Sequence, residues 1–199
     1  MRKSVVALML VLTMSVTATA CGGQQTEQET VEGTVQETAK EVSEETESTT
    51  RTYVDMDGTE VQLSEKINTV VDVWAANNQV LVLLGVSDRL VGTISTAKDV
   101  EFMQKLNPGI TELPSLIEGE EINAEEMLKV NPDVIIVNDR GVEAARSTGI
   151  PTVNLHFSDF ESLKEMVLKT AEVFGEDAVM DKAKAFNDYF DSNRKMIAD

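Results

Sequence analysis

The side chains in this 199-residue chain that could do chemistry are few: one histidine (His156), one cysteine (Cys21) and one tryptophan (Trp74). A lone imidazole can ligate a metal. A bare-cation site needs three or four donors, however, and only carboxylates stand ready beside His156. A metal already held by a chelator asks less of the protein, because the chelator supplies most of the coordination. Trp74 could stack on a flat or conjugated molecule, or cap the core with the same ring. Arg140 could bind an anion, or pair with its neighbours Asp139 and Glu143. Cys21 rules out an intramolecular disulfide and a cysteine metal cluster. The sequence has no nucleophile elbow, no phosphate-cradling glycine loop and no histidine and carboxylate close together, which argues against an enzyme.

The elements that must position these residues centre on the stretch NAEEMLKVNPDVIIVNDR, from Asn123 to Arg140. Met127, Leu128 and Val130 give a short helix an apolar side, and Asn131-Pro132 ends it. Val134–Val137 is an unbroken branched run, as suits a strand buried on both faces of a parallel sheet. Asn138, Asp139, Arg140 and Gly141 then sit just past its carboxyl end, where open α/β sheets place ligands. Further strands are expected at 67–73 (ending at Trp74), 90–94 (followed by Ser95 and Thr96) and 152–155 (followed by His156 and Phe157). Helices are expected between them at 77–84, 99–106 and 142–147. Strands at 52–56 and 60–63 flank Asp57-Gly58, a strong hairpin signal. Ser158 with Glu161 matches a capping box for a helix over 160–174, and a second amphipathic helix covers 178–198. The fold class is therefore α/β: a Rossmann-like parallel-sheet lobe with an N-terminal hairpin, followed by a long helix. The apolar stripe of the last helix calls for a partner layer, which suggests an unfinished chain.

The front quarter reads differently. Arg2 and Lys3 precede an apolar run from Val5 to Leu12, and small residues lead on to Cys21, the layout of a secretory signal over 1–20. The stretch Ala18-Thr19-Ala20-Cys21-Gly22-Gly23 resembles a bacterial lipoprotein cleavage box, with alanine where leucine is usual. Residues 21–50 are rich in Thr, Glu and Gln and cannot bury enough apolar surface to order themselves, so a disordered acidic linker is expected. The formal net charge is −18. Such a chain repels nucleic acid and anionic headgroups, so membrane attachment would come from a lipid on Cys21.

In order and spacing, four pieces resemble the substrate-binding lipoproteins of ABC importers for iron-siderophore, haem or cobalamin ligands: TYVDMDGTEVQL, NNQVLVLLGVSDRLVGT, INAEEMLKVNPDVIIV, and GIPTVNL before a long helix. The resemblance implies a first lobe over 51–157, a connecting backbone helix over 158–175, and over 176–199 the first helix of a second lobe that is largely missing. It implies ligand contacts from Trp74, Asn77, Ser95, Asp139, Arg140 and His156, with no resident cofactor. It places the permease-docking carboxylate on Glu125, in Asn123-Ala124-Glu125, with Glu126 as its nearest rival. The implied protein is an extracytoplasmic monomer, lipid-anchored to the membrane, that passes an iron chelate or related ligand to an ABC permease and binds no nucleic acid. An enzyme or metallochaperone on the same lobe, a surface interaction module and a direct divalent-metal binder stay open beside it.

Overall fold

The computed structural model describes residues 49–118 and 121–198. The expected signal, Cys21 and all but the end of the linker lie outside the described residues. The described residues fall in one compact unit. In chain order its elements are β1 (Thr50–Val54), β2 (Glu60–Ser64), β3 (Val70–Asp72), α1 (Ala75–Leu84), β4 (Leu90–Gly92), α2 (Ser95–Lys98), α3 (Glu101–Leu106), β5 (Ile117–Glu118) and β6 (Glu121–Ile122). They continue as α4 (Ala124–Val130), β7 (Val134–Val137), α5 (Val142–Arg146), β8 (Thr152–Asn154), α6 (Phe160–Phe174) and α7 (Asp177–Ala198). A four-stranded sheet in the order β4-β3-β7-β8 is parallel throughout.

Alternation along the strands divides the core between the two sheet faces. Val70, Val134 and Ile136 pack with Val80, Leu81 and Leu84 of α1 and with Met166, Val167 and Phe174 of α6. Val71, Ile135 and Val137 pack instead with Met127 of α4 and Ala145 of α5. The helices after β3 and β7 therefore cover opposite faces. The strand order reverses at β3, with β4 on one side and β7 on the other.

Local chemistry moved several boundaries from their expected places. Asp133 accepts from the N–H groups of Asn68 and Thr69 at 2.7 and 2.9 Å, so 67–69 forms a clamp and the strand begins at Val70. The α1 helix starts at Ala75, two residues early, and ends at Gly85, whose φ of 69° is the left-handed C-terminal geometry. Ile94 is the N-cap of α2, a short helix not expected from the sequence, so β4 stops at Gly92, and the helix expected over 99–106 begins at Glu101 as α3. Asn131 leaves α4 in the left-handed region at φ 47°, ending the helix at Asn131-Pro132. The capping box of α6 is Asp159 with Ser162, one residue beyond Ser158 and Glu161. The hairpin begins at Thr50, inside the expected linker. Its strands pair up to Val54 with Glu60, and in the loop the Gly58 N–H donates to the Asp55 carbonyl at 3.0 Å with Gly58 at φ 78°.

The stripe of α7 also has its partner within this unit. Val179 and Ala183 are buried in the core beside α1 and α6, and Lys182 donates to the carbonyl of Leu84 at 2.8 Å. Arg89 ties the start of α7 to the sheet through Glu176 at 2.7 Å, and this hydrogen bond raises the pKa of Arg89 and lowers that of Glu176. Farther along, α7 runs antiparallel to α6, with the Phe160 and Phe190 rings in tilted contact at 5.5 Å and Lys164 paired with Asp191 at 2.9 Å. Its outer side exposes Tyr189, Met196 and Ile197. The inference that this helix lacks a covering layer is thus corrected for its inner side.

Candidate functional site

The carboxyl ends of β3, β4 and β7 open into a hollow of about 860 Å³, at the point where the strand order reverses. Ligands of open α/β sheets bind in that position because loops leaving opposite faces part there and leave a crevice. Ile94, Ile117 and Ile122 give the hollow apolar walls, and Trp74, Ser95, Asn138 and Arg140 bring the polar and aromatic groups.

Trp74 is the N-cap of α1 and is half-buried, its ring tilted by 38° against Phe157 at 5.4 Å. Ser95, first residue of α2, lies exposed on the rim. Arg140 is exposed and makes no ion pair among the described residues, so the alternative pairing with Asp139 or Glu143 is not formed. Its backbone N–H is turned by Asn138 Oδ1 at 3.3 Å. Asn138, Ile94 and Phe157 take part in the site without having been singled out as contacts. The signal for Asn138 was its place beside Arg140 past the same strand.

Asn77 is not on the rim. It is fully buried on the sheet side of α1, with Nδ2 donating to Asp72 Oδ2 at 3.0 Å and Oδ1 accepting from Thr170 at 2.9 Å. Every polar atom of its amide is directed inward, which removes it from the ligand contacts. Asp72 also accepts from the Trp74 N–H at 2.9 Å, and its own carbonyl accepts from Asn78 and Thr93. Burial pushes the Asp72 carboxyl up to about 8, against a smaller downward pull from the Trp74 and Asn77 hydrogen bonds. This network holds the backbone under Trp74 to β4 and α6.

Asp139 and His156 also lie away from the hollow. Asp139 faces the hairpin, accepting from Asn154 Nδ2 at 2.8 Å, while His156 Nε2 stands 3.8 Å from Asp57 Oδ1. Asp57, known from the sequence only as a turn residue, thus joins them from far away in the chain. Glu125, in the first turn of α4, has an 82 % exposed side chain that pairs with Lys129 at 3.0 Å, and Lys129 also holds Glu126 at 2.7 Å. Among the described residues no helix is long and apolar enough to cross a membrane.

The sequence model of a family described as periplasmic binding protein matches residues 70–198. Comparison with curated proteins finds no match. Among solved structures, the chain is similar to a periplasmic solute-binding protein of Veillonella parvula, at 22 % identity and a TM-score of 0.61, over 74 % of this chain and 47 % of that one. A molybdate periplasmic binding protein of Haemophilus influenzae, solved with molybdate, gives 20 % identity, a TM-score of 0.65 and coverage of 74 % and 52 %. The substrate-binding protein of an iron-uptake ABC transporter from Streptococcus pneumoniae gives 22 %, 0.64, and coverage of 76 % and 53 %. The chain spans about half the length of these proteins.

Proposed function

We propose, from the premise that the chain belongs to the periplasmic binding protein family, that the hollow bearing Trp74 and Arg140 is one wall of a site for a chelated metal delivered to an ABC permease. The family is extracytoplasmic, and its members bind solutes rather than catalyse reactions. The observation that carries the reading is a guanidinium with no ion pair among the described residues and a half-buried indole, lining one hollow at the strand-order reversal. A ferric siderophore offers carboxylate or other anionic oxygens to Arg140 and flat conjugated surface to Trp74. Haem and cobalamin are the next candidates.

Because Trp74 is the only tryptophan, its emission reports the hollow directly. Titration with a ferric siderophore, haem and cobalamin is expected to give saturable quenching with at least one of them. Unchanged emission with all three, together with no heat in calorimetry, would remove this reading.

Two further expectations concern partners. In this reading Glu125 meets basic residues of the permease. Glu125→Ala should leave cargo affinity and melting temperature within error, because an exposed pair with Lys129 contributes only about 0–1 kcal/mol. Transport should fall by about 10-fold as a docking charge is lost. Equal loss of binding and transport would place Glu125 in the ligand site instead. The acyl chains of a lipidated Cys21 would hold the protein at the membrane. Cys21→Ser should shift it from the membrane pellet to the soluble fraction, and its retention in the pellet would refute the anchor.

A further inference from the structure

Asp72 closes β3 with its carboxyl sealed beneath the hollow, and the residues tied to it, directly or through Asn77, differ in one respect. Asn77, Asn78, Thr93 and Thr170 are at most 1 % exposed, whereas Trp74, whose N–H donates to Asp72 Oδ1 at 2.9 Å, is half-buried and lines the hollow. Of these partners only Trp74 meets solvent.

The bonds around the carboxyl have a place for one more proton. Thr170 carries a single hydroxyl proton with two acceptors in reach, Asn77 Oδ1 at 2.9 Å and the Met166 carbonyl at 2.8 Å. If Asp72 keeps its proton and the Asn77 amide turns over, each donor finds one acceptor: Asp72 donates to Asn77 Oδ1, Asn77 Nδ2 to Thr170 Oγ1, and Thr170 to the Met166 carbonyl. No cation competes for the carboxylate. The elements α1, β4 and β7 carry no ionisable residue, and those of α6 turn elsewhere: Lys164 to Asp191, Lys169 to Glu172 and the Val54 carbonyl, with Glu161 and Glu165 exposed. Burial without a charged partner is what raises this carboxyl to about 8.

We infer that Asp72, in its protonated form, is a positioning residue for Trp74: losing that proton loosens the start of α1 and moves the indole out of the pose in which it lines the hollow. An unpaired carboxylate sealed in apolar surroundings is costly, and letting water reach it relieves the cost. The opening falls on Trp74, the partner that already meets solvent, which as N-cap of α1 makes no side-chain cap bond of its own. Only the consequence for cargo rests on the reading of Trp74 as a cargo contact. In that reading, affinity declines above about pH 8.

Trp74 is the sole tryptophan, so its emission and its collisional quenching by acrylamide report this movement in the full chain without cargo. From pH 6 to 9.5 the parent should show a one-proton step near pH 8, the quenching constant rising about 2-fold as the site opens locally, with far-ultraviolet circular dichroism unchanged. Asp72→Asn, which imitates the acid at every pH, should hold the low-pH value throughout. His156→Gln, which removes the imidazole beside Phe157, should keep the step. A flat profile in the parent, a step undiminished in Asp72→Asn, or one abolished in His156→Gln would overturn the inference. So would a step that coincides with loss of dichroism, since the proton would then govern the whole fold and not the indole. Failure of every chelate to quench Trp74 would remove the cargo reading and leave this step as it stands.

Discussion

Asp72→Asn is expected to stabilise the protein at pH 8 by several kcal/mol and to change it little at pH 4. The folded state holds the Asp72 carboxyl at about 8, mainly through burial, above its ordinary value of 3.8. Between those values the native chain keeps a proton that the unfolded chain releases, so stability must fall as pH rises through this window. Each unit of displacement is worth about 1.36 kcal/mol, so the loss approaches on the order of 5 kcal/mol by pH 8. Asparagine imitates the protonated acid at every pH. It can also be accommodated, since Asn77 can turn its amide and donate to Thr170 Oγ1, whose hydroxyl proton then goes to the Met166 carbonyl 2.8 Å away. Urea unfolding of both proteins from pH 4 to 8, followed by Trp74 emission, should show a descending limb in the parent that is flattened in the variant. Parallel profiles would show that Asp72 is ionised in the fold.

The second large effect falls on binding. Arg140→Ala should weaken a carboxylate-bearing ferric chelate or haem by about 10- to 100-fold, the equivalent of losing one charge-assisted contact of about 1.5–3 kcal/mol. Cobalamin, which offers no carboxylate, should lose much less. The fold should not notice, because Arg140 is exposed and forms no ion pair among the described residues, and its N–H bond to Asn138 Oδ1 survives in alanine. Calorimetry with the three cargoes and a melting curve of the variant decide it. A uniform loss for all three, or none, would show that Arg140 does not read charge.

What the sequence revealed and what it hid divide by the range of the interactions. Val134–Val137 was found to the residue because a strand covered on both faces must be apolar throughout, and Phe160–Phe174 because its stripe is wide and Gly175 stops it. Edges set by a distant side chain were misplaced: Asn68 and Thr69 look like strand, yet their N–H groups answer to a carboxylate at Asp133. The same cause misled the view of Asn77, whose partner Thr170 lies 93 residues away. Asp139 and Arg140 are neighbours in the sequence and were expected to share a surface. At the strand end they part, one toward the hairpin and the other into the hollow. Trp74, Ser95 and Arg140 share one hollow because a parallel sheet gathers its carboxyl ends whatever its loops do.

The contact between hairpin and sheet also bears on how the protein avoids self-association. β8 is the outermost strand of the sheet, and an outer strand with free amide and carbonyl groups is a template for another chain. Here Asn154, at the end of that strand, has its N–H taken by Asp55 Oδ2 at 3.2 Å and its carbonyl taken by the Met56 N–H, also at 3.2 Å. The β1–β2 turn, near the start of the described residues, thus covers the end of the last strand in sequence, about one hundred residues on.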